Sequence, residues 1–134
     1  MSLYVDSSAL LKRYVDEPDS DSAEALLQSD PSLLTARHTI VEVRRNLARL
    51  VDGRQLTSAR AAFARDLAAI SLVELDATTC EAAAAIAEVT GVRSLDALHL
   101  AAAQRIGGPA VPFLTFDLRQ AQAARALGLT VVGA

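Results

Sequence analysis

The chain has 134 residues, 51% of them hydrophobic but only 4% aromatic, and a formal net charge of −3. That length suits one domain, spanning 1–134, with a core of Ala, Leu, Val and Ile, and the acidic balance excludes a global attraction to nucleic acid. A single cysteine, Cys80, excludes an internal disulfide and a multi-cysteine zinc site, and is expected simply to be packed.

Leu3-Tyr4-Val5 is a short apolar run of strand formers, and Asp6 ends it. Ser7 and Ser8 are capping residues, after which 9–15 predicts a helix broken at Glu17-Pro18. A helix over 20–28, a turn at Ser29-Asp30-Pro31 and a strand over 32–36 follow. From His38 to Val51 the apolar residues Ile40, Val43, Leu47, Leu50 and Val51 mark one helical face, with Glu42 in the early turns and Asp52-Gly53 closing the helix. Helix is expected again over 57–70, strand around Leu72, Val73 and Leu75, and an alanine-rich helix over 78–89 ended by Thr90-Gly91. Ser94 is the expected N-cap of a nearly all-apolar helix that carries Asp96 in its first turn and stops at Gly107-Gly108-Pro109. The chain closes with a strand over 112–116 ended by Asp117, a helix over 118–127 stopped by Gly128, and a short strand over 130–132. Strands alternating with helices imply a parallel α/β sheet covered on both faces. No run approaches the ~18 apolar residues of a membrane span and no leader pattern opens the chain, so a cytoplasmic protein is expected, with no membrane partner.

Four acids stand where a strand ends or a helix begins: Asp6, Glu42, Asp96 and Asp117. Each has a local alternative, as a helix cap, a dipole partner, or for Glu42 a partner of Arg45 or Asn46. If the first and last major strands are neighbours at the point where strand order reverses, all four reach one edge, where α/β sheets bind ligands. Converging carboxylates repel, so a cation is required, and hard oxygen donors suit Mg²⁺ or Mn²⁺. The sequence offers no His/Cys cluster, which argues against zinc. His99, on the Asp96 helix, is expected to be a packed or hydrogen-bonded residue rather than a general base.

Val5-Asp6-Ser7-Ser8, the Glu42 helix, Ser94-Leu95-Asp96-Ala97-Leu98-His99-Leu100-Ala101 and Leu114-Thr115-Phe116-Asp117, with Ala123 to Leu129, together resemble the PIN domain, and more narrowly the VapC toxins of type II toxin–antitoxin systems. The resemblance covers the whole chain. It implies a five-stranded parallel sheet of order 3-2-1-4-5 flanked by helices, and a Mg²⁺- or Mn²⁺-dependent endoribonuclease that hydrolyses RNA phosphodiesters with metal-activated water. On that likeness Asp6 and Asp96 anchor the metal, and Glu42 and Asp117 complete the acidic set. Ser7 is expected to orient Asp6, and Thr115 to orient Asp117 or a water. Where many members carry a further acid, this chain has Leu118-Arg119-Gln120, which leaves the occupancy of a second metal open. A homodimer and a cognate antitoxin are the implied partners.

Arg44, Arg45 and Arg49, with Arg37 and Arg54 nearby and Arg60 and Arg65 beyond, form the one basic concentration. They are either a solvated helix face or a track for an RNA backbone. Two other functions fit less well. A Mg²⁺-dependent phosphatase or phosphoacceptor domain calls for a lysine after a late strand, whereas Lys12 is the only lysine; a catalytically silent binding module sits poorly with four intact acids.

Overall fold

The computed structural model describes residues 2–30 and 32–134. Pro31, part of the expected turn, lies outside them, as does Met1. Five strands, β1 (Ser2–Val5), β2 (Ser32–Ala36), β3 (Ser71–Val73), β4 (Phe113–Thr115) and β5 (Val131–Gly133), pair in parallel in the order β3-β2-β1-β4-β5. Strand order therefore reverses between β1 and β4, where Tyr4 pairs with Phe113 and Val5 with Leu114.

The seven α-helices are α1 (Ser7–Leu11), α2 (Ser20–Gln28), α3 (Thr39–Leu50), α4 (Gly53–Leu67), α5 (Ala77–Thr90), α6 (Ser94–Ile106) and α7 (Leu118–Ala126). They cover both faces of the sheet, so its central strands are mostly apolar, with Thr35 and Thr115 as buried polar exceptions. Alternation along β1 divides the core. Leu3 and Val5 pack with Leu10, Val43, Leu47 and Phe63 from α1, α3 and α4. Tyr4 faces the other way, with Phe113 and the alanine-rich faces of α5, α6 and α7.

Several boundaries differ from expectation. Helix α1 stops at Leu11 because Lys12, Arg13 and Tyr14 donate to carbonyls three residues back, a tightened 3₁₀-type exit. Gly53 opens α4 instead of closing α3: Val51 and Asp52 are extended, and the glycine turns the chain into the next helix at φ +54°. The N-cap of α6 is Arg93, without a side-chain cap bond, and Ser94 is the first helical residue. The third strand ends at Val73, before Leu75, and β5 runs one residue further than expected. Its Gly133, at φ +100°, lies against the Thr115 carbonyl, where a Cβ would come within 2.5 Å of the oxygen. Cys80 is exposed rather than packed, because α5 turns Thr79, Ala83 and Ile86 inward.

Candidate metal centre at the carboxyl edge of the sheet

Asp6 and Asp117 leave β1 and β4 on either side of the reversal point, and each caps the helix that follows. Asp6 Oδ1 accepts from the Ala9 N–H and the Ser8 hydroxyl, both at 2.9 Å. Asp117 Oδ1 accepts from the N–H groups of Arg119 and Gln120 at 2.9 and 3.0 Å. The Asp6 side chain is nevertheless only 4% exposed, and burial raises its pKa, opposed by His99 and by hydrogen bonds from Thr115, Ala9 and Ser8. Thr115 stands between the two acids, since its hydroxyl also accepts the Asp117 N–H at 3.1 Å.

Asp96 sits in the first turn of α6, half-buried. Burial raises its pKa, Arg93 at 3.5 Å pulls it down and Asp117 pushes it up again. Asp96 and Asp117 line one small cleft with Val92, Arg93 and Arg119.

Glu42 enters from the opposite helix layer. Its Oε1 lies 2.9 Å from His99 Nε2 on α6 and 3.4 Å from His38 Nε2 at the start of α3. Burial alone would raise the Glu42 pKa, but the His99 hydrogen bond, both histidine rings and the Ser7 hydroxyl outweigh it and hold the carboxyl low. Ser7 thus serves Glu42, whereas Asp6 is served by Ser8. Neither Arg45 nor Asn46 takes the Glu42 carboxylate; the Asn46 amide bonds the Glu42 backbone carbonyl at 2.9 Å.

Behind Glu42 runs a buried polar chain that the sequence did not announce. His99, 1% exposed, places Nδ1 2.8 Å from the hydroxyl of fully buried Tyr4. An ionised Glu42 only accepts, so Nε2 carries the ring proton, and in the neutral ring Nδ1 accepts from the Tyr4 hydroxyl. His38 packs its ring on His99, centroids 4.1 Å apart, and its Nε2 lies 3.1 Å from the Leu95 carbonyl. Burial depresses its pKa to about 4, so it is neutral at physiological pH. Tyr4→Phe should cost roughly 1–3 kcal/mol, because the buried Nδ1 loses its donor. Urea denaturation of the two proteins measures it.

No three of the four acids offer oxygens within 4.8 Å of one another; the group that does so among the described residues is His38, Glu42 and His99. Both histidines of the chain therefore meet at Glu42, and the expectation that no histidine cluster exists is corrected. Sequence spacing gave no signal for it, since His38 contacts Leu95, and His99 contacts Glu42, across 57 residues. Each carboxylate has a nearby partner: helix N–H groups for Asp6 and Asp117, Arg93 for Asp96, His99 for Glu42. The donor set still fits a hard divalent ion. Asp6, Asp96 and Asp117 gather at one edge, and neither Asp6 nor Asp117 has a basic group within 4.0 Å among the described residues.

Arg44, Arg45 and Arg49 are exposed along α3, as are Arg54, Arg60 and Arg65 on α4, whereas Arg37 is engaged by Glu74. Val41, Leu95 and Leu118, each next in sequence to one of the acids, are 69%, 47% and 70% exposed. No described helix is long and apolar enough to cross a membrane.

The family model for the PIN domain matches residues 3–126. Ribonuclease VapC46 of Mycobacterium tuberculosis is 36% identical over 131 residues, covering 98% of this chain and 96% of its own. Ribonuclease VapC45 of the same species is 35% identical over 137 residues, covering 98% and 95%. Among solved structures, Mycobacterium tuberculosis VapC20, described as a sarcin-ricin loop cleaving toxin, superposes with a TM-score of 0.74 at 20% identity, covering 90% of this chain and 94% of that one. FitAcB from Neisseria gonorrhoeae superposes with a TM-score of 0.71 at 18% identity, covering 98% and 96%, and at such identities the likeness concerns the fold alone. With a parallel sheet of order 3-2-1-4-5, acids at its reversal point and a family match across most of its length, this chain belongs to the PIN domain family.

Proposed function

We propose that this chain is a metal-dependent endoribonuclease, the toxin of a type II toxin–antitoxin pair, acting in the cytoplasm. The observation that carries the reading is the gathering of Asp6, Asp96 and Asp117 about the sheet's reversal point, with burial raising the pKa of Asp6 and of Asp96. Identity of 36% to a protein named Ribonuclease VapC46, over nearly the whole of both chains, supplies the substrate class.

Asp6 and Asp96 are the residues that would hold Mg²⁺ or Mn²⁺, with Glu42 and Asp117 completing the set directly or through water. A divalent ion so bound supplies Lewis-acid polarisation of a phosphoryl oxygen and a more acidic water. The protein's own part is positional. Thr115 fixes Asp6 relative to Asp117, and the Tyr4–His99 chain with Ser7 holds Glu42 ionised and oriented. Arg44, Arg45 and Arg49 offer an exposed basic face for the RNA backbone on the helix that carries Glu42. Val41, Leu95 and Leu118 provide an apolar rim over which an antitoxin would close; a toxin–antitoxin complex from Klebsiella pneumoniae with a similar fold supports such a partner. A homodimer is proposed on family likeness.

The test is cleavage of a mixed panel of structured and single-stranded RNAs with Mn²⁺, Mg²⁺ or EDTA. Metal-dependent cutting that leaves 5′-phosphate ends is expected, and cutting that survives EDTA overturns the mechanism. In a binding titration of the same RNAs, replacing Arg44, Arg45 and Arg49 by Ala should flatten the dependence of log affinity on log salt by about 2, from about 0.7 per lost single-strand phosphate contact. An unchanged slope would remove the arginines from the RNA path.

A further inference from the structure

In the reading above Glu42 completes the carboxylate set, and in the structure its carboxylate packs against two imidazoles. We propose that His38 Nε2, His99 Nε2 and Glu42 Oε1, with the Leu95 carbonyl, form a second metal site that takes Zn²⁺ and, when filled, withdraws Glu42 from the carboxylate set.

Ligands about 2.0–2.1 Å from a tetrahedral zinc stand roughly 3.4 Å apart along each edge. Here Glu42 Oε1 lies 3.4 Å from His38 Nε2 and 2.9 Å from His99 Nε2, and His38 Nε2 lies 3.1 Å from the Leu95 oxygen. The two nitrogens and the carboxylate oxygen all fall within 4.8 Å of one another. Three of the six edges are thus already close to the ligand–ligand spacing of such a site, with protons where the ion would be. Burial is favourable too, with His38 9%, His99 1% and the Glu42 side chain 17% exposed.

Filling the site needs no net loss of ring protons. Each imidazole moves its proton from Nε2 to Nδ1. On His99 the new Nδ1–H donates to the Tyr4 oxygen at 2.8 Å, the kind of outer partner that orients a metal-bound histidine. On His38, Nδ1 is buried without a partner already, so the shift exchanges one unpaired form for another. Imidazole with one carboxylate selects zinc-like ions over Mg²⁺, which the all-oxygen set prefers. Because both sets need Glu42, zinc is an inhibitor. That last step rests on the ribonuclease reading, whereas the binding itself does not.

The experiment uses the full metal-free chain with Co²⁺ as an optical stand-in for Zn²⁺. One equivalent of Co²⁺ should give the intense visible bands of a tetrahedral site, bleached by one equivalent of Zn²⁺ and unmoved by excess Mg²⁺. His38→Gln should weaken Zn²⁺ binding by more than about 100-fold, since loss of an outer partner alone costs about 10–100-fold. Tyr4→Phe, which removes such a partner and keeps the histidines, should weaken it about 10-fold and serves if His38→Gln fails to fold. Asp96→Asn should keep the bands. Absent bands, bands that survive His38→Gln, or bands lost in Asp96→Asn overturn the site. In the cleavage assay, one equivalent of Zn²⁺ should suppress Mn²⁺-dependent cutting by the wild type and spare that by His38→Gln. Zinc uptake without suppression overturns the competition. If no RNA is cut at all, the ribonuclease reading fails while the cobalt bands still decide the site.

Discussion

Asp6→Asn is expected to lower metal-dependent RNA cleavage by more than about 100-fold, because loss of a ligand exceeds the 10–100-fold cost of losing an outer partner. The same substitution should make the metal-free protein more stable. At neutral pH the native state holds a carboxylate that is 4% exposed and whose pKa burial has raised, so ionising it there costs more than in the unfolded chain. Asn keeps the shape and is an equally good N-cap, so the bonds from Ala9 and Ser8 survive while the buried charge goes. A higher melting temperature than that of the wild type is expected by calorimetry in EDTA. Saturating Mn²⁺ should reverse the order. A ligand at 100 times its dissociation constant adds about 2.7 kcal/mol to the wild type and nothing to a variant that does not bind it. A variant less stable than the wild type in EDTA would mean that Asp6 acts mainly as a cap.

Phe113→Ala should cost about 3–5 kcal/mol, a large part of the roughly 5–15 kcal/mol that holds a domain together. Phe113 is fully buried at the start of β4, stacked on Tyr4 with centroids 5.3 Å apart and planes 7° from parallel. Its removal opens a cavity under the strand that joins β1 to β5, and helices cannot fill it without moving the sheet. Guanidinium unfolding measures the loss. Val89→Ser, at a side chain 84% exposed, should stay within about 0.5 kcal/mol and serves as the control.

The strands and the places of Asp6 and Asp117 were legible because they are written locally, whereas the strand order came from the family resemblance. A buried parallel strand is a short apolar run, and Asp6 and Asp117 follow two of them directly. The alanine faces of α5 and α6 carry a helical period with little else competing. What stayed hidden is long-range. Tyr4 in an apolar run is indistinguishable from any strand tyrosine, and His38 before a helix from any loop histidine; only the crossing of α3 and α6 over the sheet edge brings them to Glu42. Helix ends were misplaced where a glycine conformation decided them. Gly53 at positive φ starts α4, although Asp-Gly more often ends a helix.

The position of β4 between β1 and β5 has a consequence for how the protein is made. During synthesis β1, β2 and β3 emerge first and can pair, but β1 then keeps an open edge until Phe113–Thr115 leaves the ribosome. Asp117 follows that strand, so the acidic edge is completed only in the last stretch of translation. A chain released before this point carries three of the four acids and an unpaired strand. Truncated products therefore keep the β1 edge open, a template for pairing with other chains and for aggregation.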